Sequence, residues 1–402
     1  MANLKYEVEK SKWYKFFFIY TTIIFIFFRL INLYIGLEGA NIFLSSLMKS
    51  TIQFNYLSIF ICWFVMFKYS RVKPDVIGLI VFFVISYIIT YYAYPQNRIF
   101  LNMININLFY LVTAFAIIRS QLISNKDVSR WAIKFSAFAS IWVMLIGTIY
   151  MEVISYMDLS NSLSVSAAFL LYSGFVRKKK INLILGYFSL AYITVFGARG
   201  AIFSLIILIL IIFIERKLTI KKILITIVTS VLLTINIFFY RNILSYIIIY
   251  IERLGFNSRT LYKVLNLETF TSSSRNKIYI YLLDVIKNNW VKGVGLVGDR
   301  YYLPFAFEGN NATYAHNIFL EIALDYGIII GGLIILWLLY TVAKYYIFNK
   351  NIIYDEKIFI SVLFTVSFLQ LMVSRSYLTE INLYIFLALV INEKVKKFKK
   401  KV

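Results

Sequence analysis

The chain of 402 residues contains one cysteine, one histidine and three prolines. With Cys62 alone, an internal disulfide and a cysteine-based metal site are both excluded. The prolines, at positions 74, 95 and 304, can all be placed in loops between helices. Acidic residues are also few, 19 against 42 lysines and arginines, and no Asp-x-Asp motif or His/Asp cluster is present. We therefore expect neither a metal site nor a cofactor.

Apolar residues are what the chain has in excess. They make up 61% of it and charged residues only 15%, with a mean hydropathy of +0.77, whereas soluble domains average roughly half and a quarter. A membrane-spanning helix needs about 20 apolar residues. The sequence therefore predicts an all-α polytopic membrane protein with about twelve transmembrane helices. The predicted spans are 14–36, 51–67, 75–94, 100–118, 131–151, 160–176, 181–197, 200–214, 221–240, 327–347, 358–373 and 378–392.

The distribution of basic residues predicts the orientation. Lysine and arginine accumulate on the cytoplasmic side of short loops. With the N-terminus inside, most of the 42 basic residues fall on that side, and both termini are cytoplasmic. The net charge of +23 then reflects topology, and no nucleic-acid partner is expected because the basic residues are scattered. The short outside loops hold only Lys49, Arg98, Arg199 and Arg375.

One connection is much longer than the others. It covers residues 241–326 and lies outside, between the ninth and tenth predicted spans. Loops of this length are usually functional. We therefore divide the chain into transmembrane helices 1–9 (1–240), a large extracytoplasmic loop with short helices (241–326), and helices 10–12 with a basic cytoplasmic tail (327–402).

Arg275 lies within this loop, in the stretch TSSSRNKIYIYLLDVIKNNW. Ser272 or Ser273 can cap a helix here, which places Arg275 in its first turn. Unpaired amides, the helix dipole and a guanidinium then converge on one anion site. The alternative is an arginine solvated in a loop. The apolar positions at helical spacing are Ile278, Leu282, Val285, Ile286 and Trp290.

Arg199 stands in VFGARGAIF, between two apolar spans. Its small neighbours leave space for a bulky group to approach the guanidinium. An arginine at a membrane boundary can simply extend its side chain to the interface. However, an ionisable residue at such depth, on the side where positive charge is sparse, favours a functional role.

The only histidine, His316, stands in YAHNIFLEIALDYG. If a helix begins near Ala315, then Asn317, Glu321 and Asp325 share one face, with His316 beside them in the first turn. The helix dipole would lower the imidazole pKa, so that the ring could accept a proton near pH 7. A structural histidine at a helix cap is the alternative. The neighbouring carboxylates and the position directly after the large loop favour function.

A glycine-rich stretch, GVGLVGDRYYLPF, separates these two motifs. A lone glycine pattern is weak evidence for phosphate binding, and a tight loop that shapes a cavity is the better interpretation. Tyr301 and Tyr302 in this stretch could stack on sugars, although aromatic residues are also ordinary interfacial anchors.

In this order, FGARGA, SSSRNKIYIYLLDVIKNNWVKGVGL and AHNIFLEIALDYGIIIGG resemble the O-antigen polymerase and O-antigen ligase superfamily of bacterial envelope enzymes. The resemblance covers residues 191–336. It implies glycosyl transfer from a polyprenyl pyrophosphate carrier, at the outer face of the bacterial inner membrane. On this basis Arg199 and Arg275 would bind the pyrophosphate. His316 would be the base for the acceptor hydroxyl, and Glu321 would be a reserve base or orient the imidazole.

The resemblance leaves the acceptor open. It is another lipid-linked repeat unit in a polymerase and lipid A–core in a ligase. Ligases often carry a second histidine two positions earlier, where this chain has Tyr314. We therefore favour an inverting, metal-independent polymerase of O-antigen or capsular polysaccharide. Asn317, Asp325, Tyr301 and Tyr302 are the further candidates for substrate binding.

The expected partners are polyprenyl-pyrophosphate-linked oligosaccharides, the lipid bilayer, and a chain-length regulator and flippase of the same pathway. A function of another class, a flippase for lipid-linked oligosaccharides, also fits a polytopic protein. Transporters place their coupling residues near the bilayer midplane and are built from internal repeats. This chain has no convincing repeat and concentrates its polar chemistry at the outer surface, which favours an enzyme.

Overall fold

The computed structural model describes residues 11–30, 42–70, 72–150, 154–215, 245–246, 248–253, 274–306, 314–348 and 353–401. Every regular element in these ranges is helical, which confirms the predicted all-α class. The α-helices are α1 (Lys12–Ile26), α2 (Ile42–Tyr69), α3 (Pro74–Ala93), α4 (Arg98–Ser120), α5 (Asn125–Ile149), α6 (Tyr156–Val176), α7 (Lys180–Phe196), α8 (Arg199–Glu215), α9 (Ser274–Asn288), α10 (Gly298–Ala306), α11 (Ile318–Phe348), α12 (Tyr354–Phe364) and α13 (Ile381–Lys401).

Among the described residues, six helical stretches are long and apolar enough to cross a membrane, which indicates a multi-pass membrane protein. Parts of α7, α8 and α13 are apolar but shorter. The predicted span 221–240 lies outside the described residues, so the count of twelve and the orientation stay predictions. The six stretches are Lys49–Tyr69, Pro74–Ala93, Pro95–Ser120, Asn125–Ile149, Tyr156–Val176 and Ile318–Ile347.

Two of the three prolines stand where a helix tolerates them. Pro74 begins α3, and Pro95 begins a short 3₁₀ turn, so neither removes a hydrogen bond that a helix needs. Pro304 was predicted to lie in a loop, but it lies inside the nine-residue helix α10. It is the seventh of the nine residues, and because proline has no amide N–H, it cannot donate to the carbonyl four residues earlier.

The chain divides into two compact units, and the smaller one comprises Ser136–Ser274. Within it, α6 packs against both α7 and α8. Ser160 and Ser164 of α6 are buried, and each hydroxyl donates to a carbonyl oxygen three residues earlier, at 3.1 and 3.0 Å. These two hydroxyls are therefore satisfied within their own helix. Only Gly197 and Ala198 separate α7 from α8.

The larger unit comprises Met1–Phe135 and Arg275–Val402. Its central feature is a break in α11 at Gly327, where φ is 76° and ψ is 174°. The break separates a short helix, 318–326, from the long apolar run 328–348. The amide of Ile328 donates to the carbonyl of Trp290 at 2.6 Å, so the break is joined to the loop that follows α9.

That loop, residues 289–297, is fixed from two sides. The amide of Val294 donates to the carbonyl of Leu324 at 2.9 Å. On the other side, the Asn97 side chain donates to the carbonyls of Val294 and Leu296, at 2.9 and 3.1 Å. The loop thus holds the start of α10 in place between the end of α3 and the break in α11.

We predict that Gly293→Ala destabilises the protein. Gly293 has a φ of 66°, and a Cβ there would lie 2.5 Å from the amide nitrogen of Gly327. Backbone strain and the clash together should cost about 2 kcal/mol or more. The midpoint of thermal unfolding in detergent should fall by several degrees. Gly332→Ala is the control, since a Cβ there meets nothing within 4 Å. Equal midpoints for the two variants would contradict the argument.

Candidate functional site

An apolar cluster supports the candidate site. It contains one buried face of α9 and joins it to α10, α11 and the segment before α11. Four of the five apolar positions predicted for α9 belong to this cluster. The fifth, Trp290, lies in the turn beyond the helix and is 53% exposed. The members of the cluster are Ile278, Leu282, Val285, Ile286, Val294, Leu303, Ala315 and Leu324.

Two predicted site residues meet on this support. Arg275 lies in the first turn of α9, as predicted, although Ser272 and Ser273 lie outside the described residues. One turn later, the Tyr279 hydroxyl donates to the carbonyl oxygen of His316 at 3.3 Å. Arg275 is near enough for its charge to act on the pKa of both side chains. The structure therefore brings Arg275 and His316 together.

His316 has an unusual backbone and a buried ring nitrogen. Its φ of 55° lies in the left-handed region, which costs a residue other than glycine about 1–3 kcal/mol. The ring lies against that of Tyr314, with centroids 4.0 Å apart. Nδ1 has no hydrogen-bond partner in the described part of the chain. Burial, and then the positive charge of Arg275, lowers the pKa of His316 to about 4. The imidazole is therefore neutral at pH 7.

The helix after His316 begins later than the sequence pattern predicted. α11 starts at Ile318, and Asn317 is its N-cap. The Asn317 side-chain oxygen accepts from the amides of Phe319 and Leu320, at 2.9 and 3.2 Å. His316 thus precedes the cap and is not in the first turn. The prediction of a lowered pKa holds, but its cause is burial and the neighbouring arginine, not the helix dipole.

The two carboxylates of 318–326 bind a turn at residues 372–380. Glu321 is fully buried and accepts from the Ser376 hydroxyl and, at 3.1 Å, from the Tyr377 amide. Asp325 is buried too, and it accepts from the Tyr377 hydroxyl at 2.8 Å. The hydrogen bonds of Glu321 thus go to this turn, and its expected role, as a reserve base or as the group that orients the imidazole, stays a prediction.

Asp299 and Arg300, at the start of α10, connect these parts. The guanidinium of Arg300 lies 3.0 Å from Asp299 Oδ1 and 3.9 Å from Glu321 Oε1, and it donates to the Ser376 hydroxyl at 3.2 Å. Asp299 Oδ2 accepts from the Ala315 amide at 2.8 Å. Burial alone lowers the pKa of Arg300, but the surrounding carboxylates raise it overall, so the side chain stays charged.

The turn at 372–380 has its own ion pairs. Arg375 is 2% exposed, has a φ of 70°, and pairs with Glu380. Glu380 also lies 3.4 Å from Arg29, just after α1. The sequence had indicated Arg375 only as a loop charge. A polar run, SRSYLTE, between two apolar segments was the available signal, because ionisable residues at such places are usually paired.

The roles of the other predicted residues are not tested by the structure. Arg199 is the first residue of α8, and its side chain lies outside what the structure describes, so its role stays a prediction. Tyr301 and Tyr302 lie on α10 with ring centroids 5.3 Å apart, and Tyr302 also packs against the apolar cluster. Their contact with sugars, and that of Asn317 and Asp325 with substrate, also stay predictions.

An apolar cavity of about 290 Å³ adjoins the buried carboxylates. Its lining includes Tyr326, which follows Asp325 in the chain, and Tyr377, whose hydroxyl donates to Asp325. The remaining lining comes almost entirely from apolar side chains of α3, α4, α11 and α13. Gly78 of α3 leaves one side of it open, since a Cβ there would meet nothing within 4 Å. The cavity suits a hydrocarbon chain rather than a polar ligand.

Comparison with protein-family models matches residues 183–336 to a family described as O-antigen ligase. The matched segment is less than half of the chain and contains Arg199, Arg275 and His316. A search of curated proteins finds no match. The family match confirms the resemblance predicted from the sequence motifs.

We predict that the imidazole of His316 has a pKa of about 4. Because the chain has no other histidine, all imidazole signals from histidine-labelled protein, purified without a histidine tag, belong to this residue. NMR should show a neutral ring from about pH 5.5 to 8. Arg275→Gln removes a positive charge and should raise the pKa, because protonation then becomes easier. Lys277→Gln, an exposed charge on the same helix, should leave it unchanged. A wild-type value at or above the ordinary 6.5 would contradict the structure.

Proposed function

Since residues 183–336 are similar to the O-antigen ligase family, we propose that this protein transfers a glycan from a polyprenyl pyrophosphate carrier to a hydroxyl acceptor. The reaction takes place at the outer face of the bacterial inner membrane. The observation that carries the proposal is that Arg275 lies near a buried His316, whose pKa is lowered to about 4 by burial and by the charge of that arginine. An anion-binding side chain and an unprotonated base are the two groups that such a transfer needs.

His316 accepts the proton of the acceptor hydroxyl as its oxygen attacks the sugar carbon. The bond from that carbon to the pyrophosphate oxygen breaks, and its electron pair leaves with the pyrophosphate. Direct attack inverts the configuration at this carbon, so a product that retained it would exclude the mechanism. General base catalysis of this kind contributes roughly 10²–10⁴-fold to the rate.

Arg275 binds the pyrophosphate and stabilises its charge as it leaves, together with Arg199. A guanidinium can bind two phosphate oxygens at once and stays charged at any physiological pH. Binding of the anionic donor also offsets the positive charge that helps to lower the pKa of His316. The imidazole therefore becomes a stronger base when the donor is in place.

The apolar cavity supports a lipid-linked donor. Its lining includes Tyr377, which is hydrogen-bonded to Asp325 beneath the candidate site. A polyprenyl chain is wholly hydrocarbon, and part of it can occupy such a cavity while its pyrophosphate remains at the membrane surface. A soluble nucleotide-sugar donor has no hydrocarbon chain that could occupy this cavity.

Among the members of this superfamily, we favour a polymerase that joins repeat units of O-antigen or capsular polysaccharide. The residue two positions before His316 is Tyr314, where ligases often have a histidine. Its ring lies against the imidazole, with centroids 4.0 Å apart. A ligase that transfers the glycan to lipid A–core is the second candidate. The family match offers no support for a flippase.

We predict that His316→Ala abolishes polymerisation in cells that lack the native copy. Wild-type protein should restore a gel ladder of repeat lengths, whereas the variant, at equal membrane abundance, should leave single repeat units. Lys277→Ala, on the exposed face of α9, is the matched control and should restore the ladder.

The other outcomes separate the alternatives. If repeat units polymerise without the protein but stay on the lipid carrier, the protein is a ligase. If His316→Ala restores the ladder as well as wild type does, His316 is not the base.

A second prediction tests the lipid cavity through Gly78→Leu. The new side chain meets no neighbour within 4 Å at its Cβ, so the fold should tolerate it while the cavity is filled. The KM for a donor with a full-length polyprenyl chain should rise several-fold. The KM for the same glycan pyrophosphate on a two-isoprene chain should stay the same. An equal change for both donors would exclude the cavity as the site of the lipid chain.

A further inference from the structure

We propose that Asp299 and Tyr279 are positioning residues that hold His316 in its left-handed conformation. Neither acts on the substrate directly, and both act through the backbone on either side of the histidine. The inference rests on the proposed role of His316 as the base. It adds two residues to the site for which the sequence motifs indicated no role.

The two contacts flank the strained residue. On one side, Asp299 Oδ2 accepts from the Ala315 amide at 2.8 Å. On the other side, the Tyr279 hydroxyl donates to the carbonyl oxygen of His316 at 3.3 Å. A residue with a φ of 55° keeps that conformation only when its surroundings impose it. The first hydrogen bond fixes the peptide group between Tyr314 and Ala315, and the second fixes the peptide group that follows the Cα of His316. Together they restrain the backbone on both sides of His316, and with it the direction of its side chain.

The carboxylate of Asp299 is itself held in place by hydrogen bonds. It is fully buried, and its Oδ1 accepts from the backbone amide of Arg300 at 2.9 Å and from its guanidinium at 3.0 Å. Arg300 in turn donates to Ser376. A continuous series of hydrogen bonds therefore runs from the turn at 372–380 to the amide of Ala315, the residue before His316.

A direct catalytic role does not fit Asp299. Both of its carboxylate oxygens are already engaged within the protein, and its side chain has no exposed surface. It therefore cannot reach an acceptor hydroxyl or a pyrophosphate. The geometry of the acceptor oxygen relative to the imidazole is what its loss would change, and small misplacements of a base reduce the rate of the chemical step strongly.

The first test compares Asp299→Ala with Asp299→Asn, in purified full-length protein. The alanine variant loses the bond to Ala315 and should reduce kcat about 10–100-fold, with a smaller change in the donor KM. The asparagine variant keeps an oxygen that can accept from Ala315, so it should recover part of the loss. In the alanine variant, the single histidine signal in NMR should also shift or broaden. A wild-type histidine signal, or equal loss of kcat in both variants, would overturn the role of Asp299.

Tyr279→Phe provides a second test that leaves the buried ion pair of Asp299 and Arg300 intact. It removes only the hydroxyl that binds the His316 carbonyl, and it should lower kcat and shift the histidine signal. Tyr92→Phe, at a tyrosine of α3 that is 73% exposed, is the control and should change neither. An unshifted signal in Tyr279→Phe would overturn the role of Tyr279 even if the Asp299 variants fail to fold.

The histidine signal also separates this inference from the proposed function. It reports the conformation of His316 whether or not the protein transfers glycans. If the wild-type protein has no transferase activity but the variants shift the signal as expected, the positioning role stands and the proposed function fails. If the wild-type protein transfers glycans but the variants leave the histidine signal unchanged, the proposed function stands and the positioning role fails.

Discussion

A charged guanidinium that is largely removed from water needs partners, and Arg300 obtains them from three parts of the chain. Asp299 is its neighbour in sequence, Glu321 belongs to α11, and Ser376 belongs to the turn at 372–380. Burial of an ion costs several kcal/mol unless hydrogen bonds and opposite charge offset it, and removal of one partner typically costs about 3–5 kcal/mol. The start of α10, the polar part of α11 and the turn therefore cannot move independently. The segment that carries His316 is attached to this assembly through Asp299.

The break in α11 allows a polar segment and a long apolar segment to follow each other directly in the chain. At Gly327 the carbonyls of the preceding turn lose their helical partners, and the loop after α9 supplies new ones: the Val294 amide binds the Leu324 carbonyl. In return, the amide of Ile328 binds the loop carbonyl of Trp290. These backbone groups would otherwise be unsatisfied in an apolar environment. The break thus separates a short helix with two buried carboxylates from a long apolar helix.

How much of this was predictable depends on whether a feature is local in sequence. Apolar runs and helical spacing predicted the helices and the buried face of α9, because burial of each position follows from its own neighbours. The start of α11 was misplaced because Asn317 can cap a helix or lie within it, and only the geometry decides. The network around Arg300 was not predicted, because Asp299 and Ser376 come together only when distant segments fold against each other. Pattern analysis singled out Arg275 and His316, but not Asp299 and Tyr279, whose hydrogen bonds hold the backbone around His316.

A histidine whose pKa is lowered by burial and by an arginine is a weak base, and would accept a proton from a hydroxyl poorly. The environment that lowers the pKa of His316 has two causes, and only burial is permanent. In the proposed mechanism, the anionic donor offsets the charge of Arg275, and the imidazole then gains basicity at the time when the donor is present. Without a donor, the same charge keeps the ring unprotonated, so that no cation has to be desolvated beside a guanidinium. An arginine that binds the leaving group can in this way also set the proton affinity of the base. This coupling requires the two side chains to stay at a fixed separation, which is what a rigid, hydrogen-bonded backbone at His316 provides.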